Sequence, residues 1–110
     1  MEDRELLELA AKAADDGIVF YGECWRAQSG REWNPLLDDG DALRLRVRLR
    51  ISIDHNHSAD QQRWVAADRN GCEGCYSPVS AVEDEFEENE RPAATRRAIV
   101  RAAAAIGKEM

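Results

Sequence analysis

Apolar residues recur at helical spacing near both ends of the chain. The stripe in residues 3–15 consists of Leu6, Leu9, Ala10 and Ala13. The stripe in residues 92–106 consists of Ile99, Ala102, Ala103 and Ile106. Spacings of three, four and seven residues place such side chains on one face of an α-helix, so each segment is predicted to be helical. Asp3 is expected to cap the first helix and Gly17 to follow its end, while Gly107 is expected just past the end of the second.

The middle of the chain carries a different pattern, in which apolar and basic residues alternate. The apolar positions are Leu43, Leu45, Val47, Leu49, Ile51 and Ile53, and the basic positions between them are Arg44, Arg46, Arg48 and Arg50. Strict alternation is typical of a strand. Ala42, Leu45 and Leu49 also form a helical stripe, and alanine, leucine and arginine favour helices. Periodicity alone predicts one strand over the whole run.

Three short segments are predicted to be strands, namely 18–21, 51–54 and 63–67. Asn70 and Gly71 form a strong turn signal. Such a turn would return the chain so that the strand at 63–67 pairs with Cys75, Tyr76 and Val79. The acidic stretch that follows is predicted to be a loop.

An eleven-residue motif, Trp-Asn-Pro-Leu-Leu-Asp-Asp-Gly-Asp-Ala-Leu, occupies residues 33–43. Together with the alanine-rich segments 6–14 and 93–107, it resembles the NinX-like family of small uncharacterised bacteriophage and prophage proteins. The family motif residues in this chain are Trp33, Asn34, Pro35, Asp38, Asp39 and Asp41. The resemblance does not extend over residues 55–89, and it implies no catalytic residue.

The resemblance changes the expectation for the alternating run. It implies a helix over 39–49 and then a strand over 51–55, with a glycine near position 50 ending the helix; this chain has Arg50 there. The resulting expectation is an α+β fold in a single domain, residues 1–110. About three helices, 3–15, 39–49 and 92–106, would pack on a short antiparallel sheet.

The net charge of −7 is concentrated in one segment. Its carboxylates are Glu83, Asp84, Glu85, Glu87, Glu88 and Glu90, and the rest of the chain has 16 acidic residues against 15 basic ones. Unpaired like charges stay in water, so a solvated loop is the plainer interpretation. The functional hypothesis is that this row, with Phe86 as an apolar anchor, binds a basic, nucleic-acid-binding surface of a host protein. An acidic overall balance argues against direct binding of duplex DNA.

A zinc site is the second chemical possibility. Cys72 and Cys75 have the spacing that lets two thiolates reach one zinc ion, and His55 or His57 would supply further ligands. One such pair is only half of the usual ligand pattern, so the expectation is no metal and no cofactor. Asp38, Asp39 and Asp41 suit helix capping better than a divalent cation.

The arginines suggest a third possibility. The clusters at 44–50 and 96–101 would meet phosphates while Trp25 or Trp33 stacks on a base, as in a protein that sequesters a nucleotide or another small anion. Solvated helix faces explain the same arginines.

The remaining features bear on location and function. No long apolar run, an N-terminus with charges of both signs, and an odd count of three cysteines favour the host bacterial cytoplasm with no membrane partner. The preferred hypothesis is a non-enzymatic phage accessory protein that binds and inhibits a host protein or complex, an anti-defence role such as anti-CRISPR activity. The alternatives are a small-anion or nucleotide binder and a zinc-stabilised structural module. An enzyme ranks last, because no set of base, nucleophile and oxyanion donors can be assembled.

Overall fold

Three helices and two small antiparallel sheets make up the part of the chain described by the computed structural model, which covers residues 2–56, 63–69 and 79–110. The elements follow in the order α1 (Asp3–Ala14), β1 (Val19–Tyr21), β2 (Cys24–Arg26), α2 (Asp39–Leu49), β3 (Ser52–His55), β4 (Trp64–Arg69), β5 (Val79–Asp84), a 3₁₀ turn (Glu88–Glu90) and α3 (Arg91–Lys108). This order confirms the predicted α+β class and its three helices.

Helices α1 and α3 pack along each other through small side chains. Their buried residues are Leu6, Leu7, Ala10, Ala11, Ala13 and Ala14 on α1, and Ala98, Ile99, Val100, Ala102, Ala103, Ala104, Ile106 and Gly107 on α3. The distance between two packed helices depends on the size of the side chains between them. The alanines therefore bring the two backbones close together.

Gly107 marks the closest approach in this interface. It was expected just past the end of the last helix, but it lies inside α3 and is buried. A Cβ atom at this position would overlap the carbonyl oxygen of Leu9 and lie 2.9 Å from its carbonyl carbon. The glycine is thus explained by close packing of two backbones rather than by helix termination.

The ends of α1 also differ from the prediction. Glu2, not Asp3, occupies the position before the first helical residue, and its side chain makes no capping hydrogen bond. Asp3 instead pairs with Arg97 of α3 at 2.6 Å. The helix ends at Asp15, which has a left-handed backbone conformation, two residues before Gly17.

Residues 39–55 form a helix (α2) followed by a strand (β3), as the family resemblance implies, and not the single strand that the apolar–polar alternation predicts. Ala42, Leu45 and Leu49 form the buried stripe of α2, whereas Leu43 and Val47 are 54% and 67% exposed. Two of the six apolar residues in the alternating run therefore face solvent. The strand that periodicity favoured is wrong for residues 43–49, because burial of the helical stripe determines the local structure.

Arg50 ends α2 in a left-handed conformation with φ of 56°. Replacing Arg50 with glycine is expected to raise the free energy of unfolding by about 0.5–1 kcal/mol, because glycine adopts this conformation without a steric cost. Urea denaturation measures the change. Arg50→Ala is the control, since it removes the same side chain and keeps the Cβ atom; an equal gain in both variants would contradict the backbone explanation.

Strands β3, β4 and β5 form an antiparallel sheet in that order. The predicted strands at 51–54 and 63–67 are confirmed, with the second extended to Arg69. β4 pairs with residues 79–84, where Val79 lies opposite Arg69 and Asp84 opposite Trp64. The predicted turn at Asn70 and Gly71 and the pairing with Cys75 and Tyr76 fall outside the described residues.

Strands β1 and β2 form a separate hairpin beside α1. Gly22 has a φ of 72° in its turn. Phe20 and Trp25 face each other across the hairpin, edge to face, with ring centroids 5.3 Å apart. The predicted strand at 18–21 is thus present as Val19–Tyr21, and Cys24–Arg26 forms the second strand of the hairpin.

Candidate functional site

The acidic segment 83–90 is folded rather than a free loop, which corrects the prediction. Glu83 and Asp84 belong to β5, and Glu88–Glu90 form the 3₁₀ turn. Glu87 and Glu90 cap this turn reciprocally; the Glu87 N–H donates to the Glu90 carboxylate at 2.9 Å. The carboxylates of Glu87 and Glu90 therefore stabilise the turn.

Two of these carboxylates are neutralised by arginines from other elements. Glu83 pairs with Arg101 at 2.5 Å and with Arg97 at 3.6 Å. Glu88 pairs with Arg91 at 2.9 Å and with Arg63 at 3.1 Å. The hydrogen bonds from Arg91, with smaller effects of Arg63, hold the pKa of Glu88 below its ordinary value.

Phe86 does not project into solvent as an isolated anchor. It is half-buried and packs against the hydrophobic core, with the Arg91 guanidinium 5.2 Å from its ring centroid. Asp84 and Glu85 are exposed and make no ion pair with any described residue. The outward-facing acidity of the segment is therefore concentrated at the end of β5.

A larger acidic surface includes Asp84, and sequence reasoning missed it. Residues opposite each other in antiparallel strands share one face of the sheet. The pairs Ser52 with Asp68, Asp54 with Ala66, Trp64 with Asp84, Ala66 with Val82 and Asp68 with Ser80 therefore define one face. The opposite face carries Ile53, Val65, Ala67 and Ala81 and packs on the helices.

We call the outward face, formed by Ser52, Asp54, Trp64, Ala66, Asp68, Ser80, Val82 and Asp84, the acidic sheet face. It holds three aspartates and no lysine or arginine. Its apolar side chains include Trp64, at the start of β4, which is 37% exposed, and Val82, which is 46% exposed. None of its aspartates forms an ion pair within the part of the chain that the structure describes.

The family motif residues build the entry into α2. Asp38 accepts a hydrogen bond from the Asp41 N–H at 2.8 Å, which confirms the predicted capping role. Asn34 Oδ1 accepts one from the Leu36 N–H at 3.1 Å. Asp39 pairs with Arg96 at 2.6 Å, and Trp33 and Pro35 are buried. These contacts give the motif a role in folding.

Asp41 lies at the centre of the motif and is 1% exposed. Its carboxylate accepts hydrogen bonds from Arg44 Nη2 at 2.8 Å and from the Asn34 N–H at 2.9 Å, and pairs with Arg31 at 2.9 Å. Burial by itself raises the pKa of Asp41. The hydrogen bonds from Arg44, Asn34 and Arg31 together outweigh burial, so the pKa lies below its ordinary value.

Arg44 and Arg48 of the first arginine cluster line a small cavity with Trp33, whereas the arginines of α3 lie apart from it. Trp33 is buried against α1 and α2, and Trp25 lies in the hairpin. The arginines make contacts elsewhere: Arg44 with Asp41, Arg48 with the carbonyls of Ala14 and Asp15, Arg96 with Asp39, Arg97 with Asp3 and Glu83, and Arg101 with Glu83. The stacking arrangement expected for a nucleotide is not formed by these side chains.

Of the residues proposed for zinc, His55 is described, whereas Cys72, Cys75 and His57 lie outside the described residues. His55 Nδ1 is 3.2 Å from Arg91 Nη1. Within residues 2–56, 63–69 and 79–110, no group of three histidine, cysteine or acidic side chains is placed to hold a metal ion. The zinc hypothesis therefore stays a prediction.

None of the helices among the described residues combines the length and the apolar character needed to cross a membrane. Comparisons of the chain with protein-family models, with curated proteins and with solved structures gave no match.

Proposed function

We propose that this protein is a non-enzymatic binding protein whose acidic sheet face docks on a basic surface of another protein. The observation that carries the proposal is the composition of that face: three aspartates that form no ion pair with any described residue, an exposed tryptophan, and no positive charge among its eight residues. Charge complementarity of this kind steers association and selects partners.

The exposed apolar side chains of this face support a protein partner rather than a free cation. Tryptophan is enriched among the residues that contribute most to protein–protein binding, particularly when a polar rim surrounds it. Trp64 and Val82 would be covered on binding, while Asp54, Asp68 and Asp84 would meet lysines or arginines at the edge. Exposed Glu85, directly after β5, extends the same charge.

The resemblance to the NinX-like family supplies a biological setting for the proposal. A phage accessory protein with an acidic docking face would inhibit a host complex by occupying the surface that normally binds nucleic acid. A host nuclease or a CRISPR effector has such a surface. The partner would lie in the host bacterial cytoplasm, and the activity would be stoichiometric.

The test compares two triple variants that change the net charge equally. Asp54→Asn, Asp68→Asn and Asp84→Asn together remove the carboxylates of the acidic sheet face. Glu5→Gln, Glu8→Gln and Glu109→Gln remove three exposed carboxylates elsewhere that make no ion pair within the described residues. Each protein is used for affinity capture from host lysate, with quantitative mass spectrometry, and the dissociation constant is then measured with the purified captured protein.

The expected result is a captured protein whose affinity falls about tenfold for the aspartate variant and stays unchanged for the glutamate variant. Raised salt should weaken the wild-type complex, since exposed charges are screened. Trp64→Ser should lower the affinity for the partner by at least the same factor as the aspartate variant does. Equal affinities of the two triple variants for the same partner would refute docking through this face.

A further inference from the structure

A groove lies on the helical side of the three-stranded sheet, between α2, β3 and the first turns of α3. Its volume is about 550 Å³, within the range of small-molecule sites. Its apolar wall is formed by Ala42, Leu43, Ile53, Pro92 and Ile99. Because Ile53 belongs to the inner face of the sheet, the groove is separate from the acidic sheet face and does not depend on the function proposed for it.

Three arginines line this groove, and two of them are already neutralised. Arg91 donates two hydrogen bonds to Glu88, at 2.9 Å and 3.1 Å, and Arg96 pairs with Asp39 at 2.6 Å. The carboxylates Asp39 and Glu88 line the same groove. These pairs hold the rim in place and leave little charge for a ligand.

Arg46 is the exception among the three. Its Nε donates to the Ile51 carbonyl oxygen at 2.9 Å, which fixes the side chain beside β3. It makes no ion pair with any carboxylate of the described residues. A guanidinium has five N–H donors, so the terminal nitrogens of Arg46 remain able to bind an anion.

We infer that the groove binds a small amphipathic anion, with the apolar body against Leu43, Ile53 and Ile99 and the single anionic group on Arg46. A guanidinium next to apolar walls binds an anion more strongly than it does in open water, because the local dielectric constant is lower. One uncompensated positive charge matches a monoanion better than a polyphosphate. The chemical class is therefore an organic carboxylate, sulfonate or phosphate diester with an aromatic or aliphatic body.

Two fluorescent probes that differ by one charge test this inference. 8-Anilino-1-naphthalenesulfonate carries an apolar ring system and one sulfonate, and N-phenyl-1-naphthylamine is its uncharged analogue. Fluorescence titration of the folded full-length protein is expected to show one site for the sulfonate. Arg46→Gln should weaken sulfonate binding about tenfold and leave the binding of the uncharged probe unchanged. Arg46→Lys should retain most of the affinity.

Two additional variants assign the binding to this groove. Leu43→Ala changes an exposed residue of the apolar wall and should weaken both probes. Arg50→Gly removes a positive charge four residues from Arg46, outside the groove, and should leave the affinity for both probes unchanged. Circular dichroism and thermal unfolding establish that each variant is folded. Sulfonate affinity that is equal in wild type and Arg46→Gln, or binding insensitive to Leu43→Ala, would overturn the inference.

Displacement of the sulfonate probe tests whether the anionic group of a ligand contributes to binding. Decanoate and decane-1-sulfonate, both monoanions at neutral pH, are titrated against the bound probe, with decanol as the uncharged control. Both anions should displace the probe at lower concentration than decanol does. Displacement by decanol at the same concentration as decanoate would show that the anionic group makes no contribution, and would overturn the assignment to Arg46.

Discussion

Replacing Gly107 with alanine is expected to lower the free energy of unfolding by about 3 kcal/mol, although the same change in an ordinary helix interior stabilises it by up to about 1 kcal/mol. The reason is that the added Cβ atom would overlap the Leu9 carbonyl oxygen. The atoms in conflict are backbone atoms of two packed helices, so relief requires α1 and α3 to separate. Separation would open gaps among the buried alanines along the whole interface.

Gly40→Ala is the matched control for this substitution. Gly40 lies in the first turn of α2, and the nearest atoms to an added Cβ are the ends of two side chains, Arg44 Nη2 at 3.1 Å and Asp38 Oδ2 at 3.2 Å. Side-chain ends can move aside, so the free energy of unfolding should stay within about 1 kcal/mol of the wild-type value. Urea denaturation of both variants gives the comparison. A Gly107→Ala protein as stable as Gly40→Ala would show that the helices are not as close as described.

Asp41→Ala is expected to destabilise the protein by about 3 kcal/mol, a value near the lower end for loss of one partner in a buried ion pair. The Asn34 N–H would lose its acceptor, and Arg31 and Arg44 would lose their shared carboxylate. Both arginines are about half exposed and remain solvated, which limits the loss. Asp39→Asn is the control, because Asp39 is highly exposed and its pair with Arg96 should contribute less than about 1 kcal/mol.

The contribution of Asp41 should also depend on pH in a defined direction. The folded-state pKa of Asp41 lies below its unfolded value, so the carboxylate stabilises the fold at every pH above the unfolded pKa of about 3.9. As the pH falls through the folded pKa, the carboxylate is protonated and this contribution is lost. The difference in unfolding free energy between wild type and Asp41→Asn should therefore be constant from neutral pH to about pH 5 and narrow below about pH 4. A difference that widens on acidification would contradict the charge assignment.

The sequence predicted the helices at the two ends of the chain because their apolar stripes are long and regular. It failed at Gly107 because a glycine near the end of a helical pattern looks the same whether it terminates the helix or admits a neighbouring backbone. The helix over 39–49 was expected from the family resemblance and is confirmed, but the apolar–polar alternation by itself wrongly predicted a strand over residues 43–49, because arginine has a high helix propensity and yet completes the alternation. The contacts of α2 with α3 and α1 determine which of its apolar residues are buried.

The candidate surface was harder to predict than the fold. The acidic run was evident from the sequence. The arginines that neutralise Glu83 and Glu88, however, come from distant parts of the chain: Arg63 directly precedes β4, and the others belong to α3. Ion pairs between distant segments cannot be read from local charge. Likewise, Asp54, Asp68 and Asp84 lie in three separate strands, and Asp84 joins the other two on one face only through the register of the sheet. The alternation within each short strand shows two faces but not which of them the helices cover.

The close packing of α1 and α3 also affects how the chain folds during its synthesis. Helix α1 is synthesised before the other described elements, and most of its packing is with α3, the last of them, so much of its apolar stripe stays uncovered while the described strands are made. Bringing such remote segments together carries a large loop-closure cost, and it completes the core late. Until α3 is made, the exposed apolar stripe of α1 can bind chaperones. Mutations that weaken the packing of α1 on α3 should therefore lower the yield of folded protein in cells, even where the purified protein refolds.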